Sequence, residues 1–136
     1  MIPPKTRNTV LARDDNLCVI RSIHCTVVAT TVDHRAGRGM GGSSALNQPE
    51  CLIAACWACN GVGKEDAVGA ARQDLIRRGI RVLKASTNTL TVLRCMETPV
   101  LYPDGWYVLV GAERQRMLPA EVAEYLSFVS MEEVGR

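Results

Sequence analysis

The sequence predicts an α+β protein built around a metal site, and three observations carry that prediction. Four of the six cysteines fall into two spaced pairs, Cys18/Cys25 and Cys56/Cys59. Between the pairs runs Thr26-Val27-Val28-Ala29-Thr30-Thr31-Val32, a β-branched stretch that reads as a strand and ends on Asp33-His34. Beyond residue 80, strand-like segments lead into a last helix. A length of 136 residues suits a single domain. The organisation expected is a first unit over 1–79, its core about 17–66, and an α+β extension over 80–136.

Composition sets the compartment. Hydrophobic residues make up 47% and charged ones 22%, which is ordinary for a soluble globular protein. The opening Met1-Ile2-Pro3-Pro4-Lys5-Thr6-Arg7 has no apolar h-region. The longest near-apolar run, Cys51 to Cys59, is far short of the ~20 residues of a membrane span. A soluble, cytoplasmic protein is expected, with no membrane partner. In reducing cytoplasm, clustered cysteines more often bind metal or act chemically than form disulfides.

In chain order, Thr6 to Asp15 reads as a short helix capped by Thr6 or Asn8, with Val10 and Leu11 on its apolar face. Asp14-Asp15-Asn16 is turn chemistry and ends it. After the strand, Arg35 to Pro49 is rich in Gly, Ser, Asn and Pro, including Gly37, Gly39, Gly41 and Gly42. A loop of about 15 residues is longer than most connections, and such loops commonly carry function. Cys51-Leu52-Ile53-Ala54 reads as a second strand. A helix starts near Ala55 or Trp57 and is expected to break at Gly61 and Gly63. Ala67 to Arg78 reads as a helix, with Gly79 at its C′ position. Ile80 to Lys84, Thr89 to Cys95 and Trp106 to Val110 read as strands, with a turn at Asp104-Gly105. Leu118-Pro119-Ala120-Glu121 opens a last helix that turns Val122, Ala123, Leu126 and Val129 inward.

The net charge of +2 is unevenly spread. Residues 67–84 hold Arg72, Arg77, Arg78, Arg81 and Lys84 against one acid, Asp74. Residues 85–136 hold four basic and seven acidic residues. A basic stretch ahead of an acidic tail suits a nucleic-acid-facing first half, although a charge run is more often a solvated face.

Cys56 and Cys59 form C-x2-C, the spacing by which one turn presents two thiolates to one tetrahedral ion. Cys18 and Cys25 are spaced more widely and serve the same ion if the residues between them form a loop. Together they make a closed structural Zn²⁺ site; the bland alternative is buried free thiols. Cys95 is expected in a strand and in the core, and His24 is a less favoured ligand. Asp33-His34 at a strand end sets a hard oxygen ligand beside a base that is neutral at physiological pH. A carboxylate suits Mg²⁺ or Mn²⁺, and Asn60 offers a second oxygen if its helix lies against that strand end. An isolated Asp-His pair is equally compatible with a surface turn. The surrounding cysteines favour the site.

The pattern Cys18…Cys25…Asp33-His34…Gly41-Gly42…Cys51-Leu52…Cys56-x-x-Cys59-Asn60…Lys64 resembles the HNH endonucleases, notably the small zinc-containing kind encoded by phages and mobile elements. Val10-Leu11-Ala12-Arg13-Asp14 matches that family's lead-in, and the resemblance covers about residues 8–66. It implies a ββα-metal core, with the four-cysteine zinc site as scaffold. His34 would be the general base activating water for attack on a DNA phosphodiester. Asp33 and Asn60 would hold one Mg²⁺ or Mn²⁺ ion. Such phage enzymes often work beside genome-packaging machinery. One departure stands out: the family's middle asparagine is replaced by Cys51, and Asn47 aligns with it only after a shift. Either catalysis is slowed or Cys51 replaces a zinc ligand. Arg35, Arg38 and Lys64 flank the site as candidate contacts to DNA phosphates. Few aromatic residues argue against a single-strand stacking platform and for duplex DNA. The competing expectation is a zinc-stabilised nucleic-acid-binding or assembly module whose catalytic site is impaired at Cys51.

Overall fold

Two small antiparallel sheets contribute to one apolar cluster, and four α-helices are present among the described residues. The structure, a computed structural model, describes residues 1–37 and 44–134. The elements are α1 (Pro4–Arg13), β1 (Thr31–His34), β2 (Leu52–Ala55), α2 (Gly69–Arg77), α3 (Asn88–Glu97), β3 (Val100–Tyr102), β4 (Gly105–Val110), β5 (Glu113–Arg116) and α4 (Pro119–Val134). Strands β1 and β2 pair antiparallel with Thr31 opposite Ala55 and His34 opposite Leu52. A helical stretch over 57–65 follows β2 directly. The second sheet runs β3-β4-β5, with Leu101 opposite Trp106 across the Asp104-Gly105 turn.

The expected strand from Thr26 forms only from Thr31. Residues 26–28 instead close the loop that carries Cys25, with Val27 at φ 75° and a single bridge from Val28 to Leu17. The helix after β2 does not break at its glycines. It absorbs them in a π turn, Cys59–Gly63, a wider turn that often marks functional positions.

Thr89 to Cys95 is helical, not extended. Thr87 caps α3 by accepting from Leu90 N at 3.1 Å, and Thr91 and Cys95 bury one face. Ile80 to Lys84 pairs in no sheet. Its backbone is held by Val82 N donating to Arg35 O at 3.0 Å. Gly79, at φ 73°, passes so close to Pro99 O that a Cβ would collide with that carbonyl. In α4, Val122, Leu126 and Val129 are half-buried, but Ala123 is exposed.

The apolar core is continuous across residue 79. One cluster joins Ile20, Ile53, Ala54, Cys56 and Leu75 to Val100, Tyr102 and Leu109. A buried polar hub lies beside it. Asp14 takes both Arg13 Nε (2.9 Å) and Arg13 NH2 (3.1 Å), accepts from Ala54 N (2.9 Å) and from Tyr102 Oη (2.6 Å). Arg13 also donates to Leu52 O and Pro49 O. A buried charge pair is tolerable only when its remaining donors and acceptors are met in this way. Among the described residues, no helix is long and apolar enough to cross a membrane.

Candidate metal centre and the adjoining Asp-His site

The two cysteine pairs meet. The Sγ atoms of Cys18, Cys25, Cys56 and Cys59 all lie within 4.8 Å of one another. Four sulfurs about 2.3 Å from one tetrahedral ion would sit about 3.8 Å apart, so the spacing suits such an ion. Cys18 follows the turn after α1, where Cys18 N donates to Val27 O at 2.8 Å. Cys56 immediately follows β2, and Cys59 stands one helical turn on. Cys18, Cys56 and Cys59 are buried, while Cys25 is half-buried at the rim.

Backbone amides point at the sulfurs: Thr26 N and Cys59 N donate to Cys56 Sγ, each at 3.4 Å. Val27 N donates to Cys25 Sγ at 3.3 Å and Ser22 N to Cys59 Sγ at 3.4 Å. Gly63 leaves room for this loop, since a Cβ there would strike Ser22 Oγ. Arg21 and Val27 hold positive φ of 52° and 75°. Such backbone persists only where the surroundings over-determine it.

Electrostatics lean the same way. Burial pushes the Cys18 thiol up to about 12, opposed by backbone hydrogen bonds at Arg21 and Cys56. Burial also raises Cys56, but hydrogen bonds from Thr26 and Cys59 outweigh it and bring that thiol down to about 6. Four sulfurs this close cannot all carry charge unless a cation balances them, and a bound divalent ion deprotonates its thiols. The residues therefore fit a structural metal. His24 is exposed and stands outside the four-sulfur group.

Cys51 takes no part in that group. It is buried with Ala36, Val82 and Cys95, in a cluster separate from the one that holds Cys18, Cys56 and Cys59. A hydrogen bond to Cys95, together with burial, pushes its thiol up. Cys51 therefore packs and does not replace a zinc ligand.

Asp33 and His34 end β1, opposite Ile53 and Leu52. His34 is half-buried, and its Nε2 lies 2.8 Å from Asn47 Oδ1. Asn47 Nδ2 donates to Met1 O at 3.2 Å, which turns the amide oxygen toward the imidazole. With Oδ1 as acceptor, Nε2 carries the proton and the neutral ring has its basic lone pair on Nδ1. Asn60 is half-buried on the π turn, which packs against β1. Asp33 is buried and forms an ion pair with Lys64 Nζ. Burial pushes its carboxyl above the ordinary carboxylate range, with Lys64 opposing that shift.

Two expected phosphate contacts prove internal. Lys64 is buried; besides Asp33 its ammonium donates to His34 O at 2.5 Å and lies 3.4 Å from Arg35 O. Arg35 is 0% exposed. Its guanidinium donates to Gly79 O (2.9 Å), Glu50 O (2.8 Å), Cys95 O (2.7 Å) and Thr98 O (2.8 Å). Both cations are used up on carbonyls and a carboxylate because those groups, once buried, have no water to bond. Arg38 lies outside the described residues, as do Gly39, Gly41 and Gly42. Asn47 is the site residue that the sequence placed least well, because its partner His34 is 13 positions away across an irregular loop.

The chain matches no protein-family model, no curated protein and no solved structure.

Proposed function

We propose that the chain is a metal-dependent DNA endonuclease or nickase of the HNH type, with Zn²⁺ in the four-cysteine cage. The observation that carries this reading is His34 at a strand end with Nε2 held by Asn47, beside Asp33 and next to the turn bearing Asn60. A hairpin followed by a helical stretch is also the order of elements that a ββα-metal core requires. The sulfur cage pins that stretch to the loop before β1.

In this mechanism His34 takes a proton from water at Nδ1, while Asn47 keeps the ring in the tautomer that leaves Nδ1 basic. Asp33 and Asn60 would hold one Mg²⁺ or Mn²⁺ ion. An ion held by Asp33 and Asn60 would supply Lewis-acid chemistry, polarising the phosphate and stabilising the departing 3′ oxyanion. Their oxygen donors match a hard cation in kind. Lys64 Nζ engages Asp33 Oδ2, so a metal at Asp33 would either use Oδ1 or displace the ammonium. Duplex DNA is the proposed substrate, and a phage genome-packaging complex is a setting in which such an enzyme would act.

One observation favours a second reading. The Asp33 charge is already balanced inside the fold by Lys64, as it would be in a zinc-stabilised nucleic-acid-binding or assembly module without catalysis. Nicking of supercoiled plasmid with Mg²⁺ or Mn²⁺ separates the two. His34→Ala should lower the rate by about 10²–10⁴, the usual contribution of a general base. Asn47→Ala should lower it less. No nicking by the wild type, or equal nicking by His34→Ala, rejects the enzyme. Elemental analysis should give one zinc per chain, and a folded zinc-free protein refutes the cage.

A further inference from the structure

With Arg35 and Lys64 buried, phosphate must be met elsewhere. Just outside them lies an open groove of about 310 Å³ lined by Gly37, Arg72, Arg81, Val82, Leu83 and Lys84. Half of those residues are cations and none is acidic. Arg72 projects from α2, while Arg81 and Lys84 come from the irregular segment that follows it. Lys84 is exposed, and Arg72 and Arg81 are half-buried. Among the described residues, none of the three side chains has a hydrogen bond or ion pair. By contrast, Arg78, Arg114 and Arg116 are each paired with an aspartate.

The position of this groove is fixed by Arg35. Its side chain holds Gly79 O at 2.9 Å, and its own carbonyl accepts from Val82 N at 3.0 Å. Residues 79–82 are thereby clamped to the chain one position beyond His34. Gly37, at the groove's other edge, is three positions beyond it. The charge of Arg81 reaches Asp33, where it opposes the upward push of burial. Three cations that share one groove with no acidic lining residue attract a polyanion. Duplex DNA carries one negative charge per about 1.7 Å of axis, so a row of such cations beside the Asp-His pair matches its backbone.

We infer that this groove receives the phosphate backbone of duplex DNA through Arg72, Arg81 and Lys84. Presenting the groove is then a role of the chain beyond the β1–β2 module. The choice of DNA as occupant rests on the nuclease reading; binding to the groove is measurable apart from cleavage.

The test is fluorescence anisotropy of labelled duplexes of unrelated sequence, titrated with the metal-loaded full chain without added Mg²⁺ or Mn²⁺, over a range of KCl. Arg72→Gln, Arg81→Gln and Lys84→Gln should each flatten the plot of log affinity against log salt by about 0.9, equally for every sequence. Circular dichroism and metal content identify the variants that remain folded. Several results overturn the inference: no duplex binding by the wild type, an unchanged slope in folded variants, or an equal loss in Arg116→Gln, which lies on β5 and not in the groove. A duplex RNA bound more tightly, and lost in the same variants, overturns the choice of DNA. Nicking by the wild type with unaltered binding in the variants removes the groove and keeps the enzyme. Loss of binding in the variants without wild-type nicking keeps the groove and removes the enzyme.

Discussion

The β1–β2 module and the β3–β5 sheet lie on one core but are held by different physics. In the first, strands of four residues contribute Thr31, Val32, Leu52, Ile53, Ala54 and Ala55 and no Phe, Tyr or Trp, so the buried area is limited. Closure comes from the four sulfurs, the Arg13–Asp14 hub and the Arg35 guanidinium. In the second, Tyr102 and Tyr107 meet edge to face with centroids 5.2 Å apart, and Arg114 lies 4.4 Å over each ring. Trp106 packs on Tyr125 of α4 at 5.4 Å. The contrast teaches where directional groups are needed. Aromatic rings bury enough surface to hold a short sheet, whereas a module without such rings in its strands needs groups that are specific and individually strong.

The largest effect should come from the cage. Structural zinc in small modules contributes on the order of ten kcal/mol to folding, comparable with the whole stability of a domain. Cys56→Ser, or a strong chelator, should therefore unfold the β1–β2 module. Because Tyr102 and Val100 share the cluster that contains Cys56 and Ile53, the tyrosine near-ultraviolet circular dichroism should vanish with the far-ultraviolet signal. A tyrosine signal that survives metal loss would break the single core into two independent parts.

Next comes Arg35. Arg35→Met leaves the carbonyls of Gly79, Glu50, Cys95 and Thr98 without this donor. A buried acceptor left without its donor costs about 1–3 kcal/mol, and the combined loss is measurable as a lower urea midpoint. Arg35→Lys should not rescue it, because an ammonium lacks the planar fork that reaches separate carbonyls. Full rescue by lysine would mean that charge, and not geometry, joins the module to α3.

Arg35 also shows why part of the fold was legible in the sequence and part was not. The cysteine pairs, β2, the Asp104-Gly105 turn, α2 and α4 follow from local chemistry, and so does the existence of α1. But Thr6 and Asn8, expected to cap α1, lie inside a helix that starts at Pro4 without a side-chain cap, and the β-branched run from Thr26 is strand only from Thr31. Helix α3 did not follow, because Thr89, Thr91 and Val92 favour strand by propensity; the overriding signal was the cap at Thr87. Burial of Arg35 and Lys64 was illegible for a different reason. Their partners are backbone carbonyls and a carboxylate up to 63 positions away, and a carbonyl leaves no mark in sequence. Asp14 read as turn chemistry, although the fold uses it as the acceptor for Arg13, Ala54 and Tyr102. Local signals thus placed the sulfur cage, while long-range polar contacts decided which cations remained on the surface.

The smallest of these effects lies where the two regions touch. Tyr102 belongs by its ring to the aromatic sheet and by its hydroxyl to the Asp14 hub, which it meets at 2.6 Å. Tyr102→Phe keeps the ring contacts and removes only that donor. A hydrogen bond to a charged group contributes about 1.5–3 kcal/mol, and Asp14 keeps Arg13 and Ala54 N as partners. The loss should fall at or below the low end of that range, read as a modest drop in Tm with metal content unchanged. A much larger loss, with zinc released, would mean that the aromatic sheet holds the cage in shape through this hydroxyl. The two regions would then be coupled by one hydrogen bond more than by their shared apolar core.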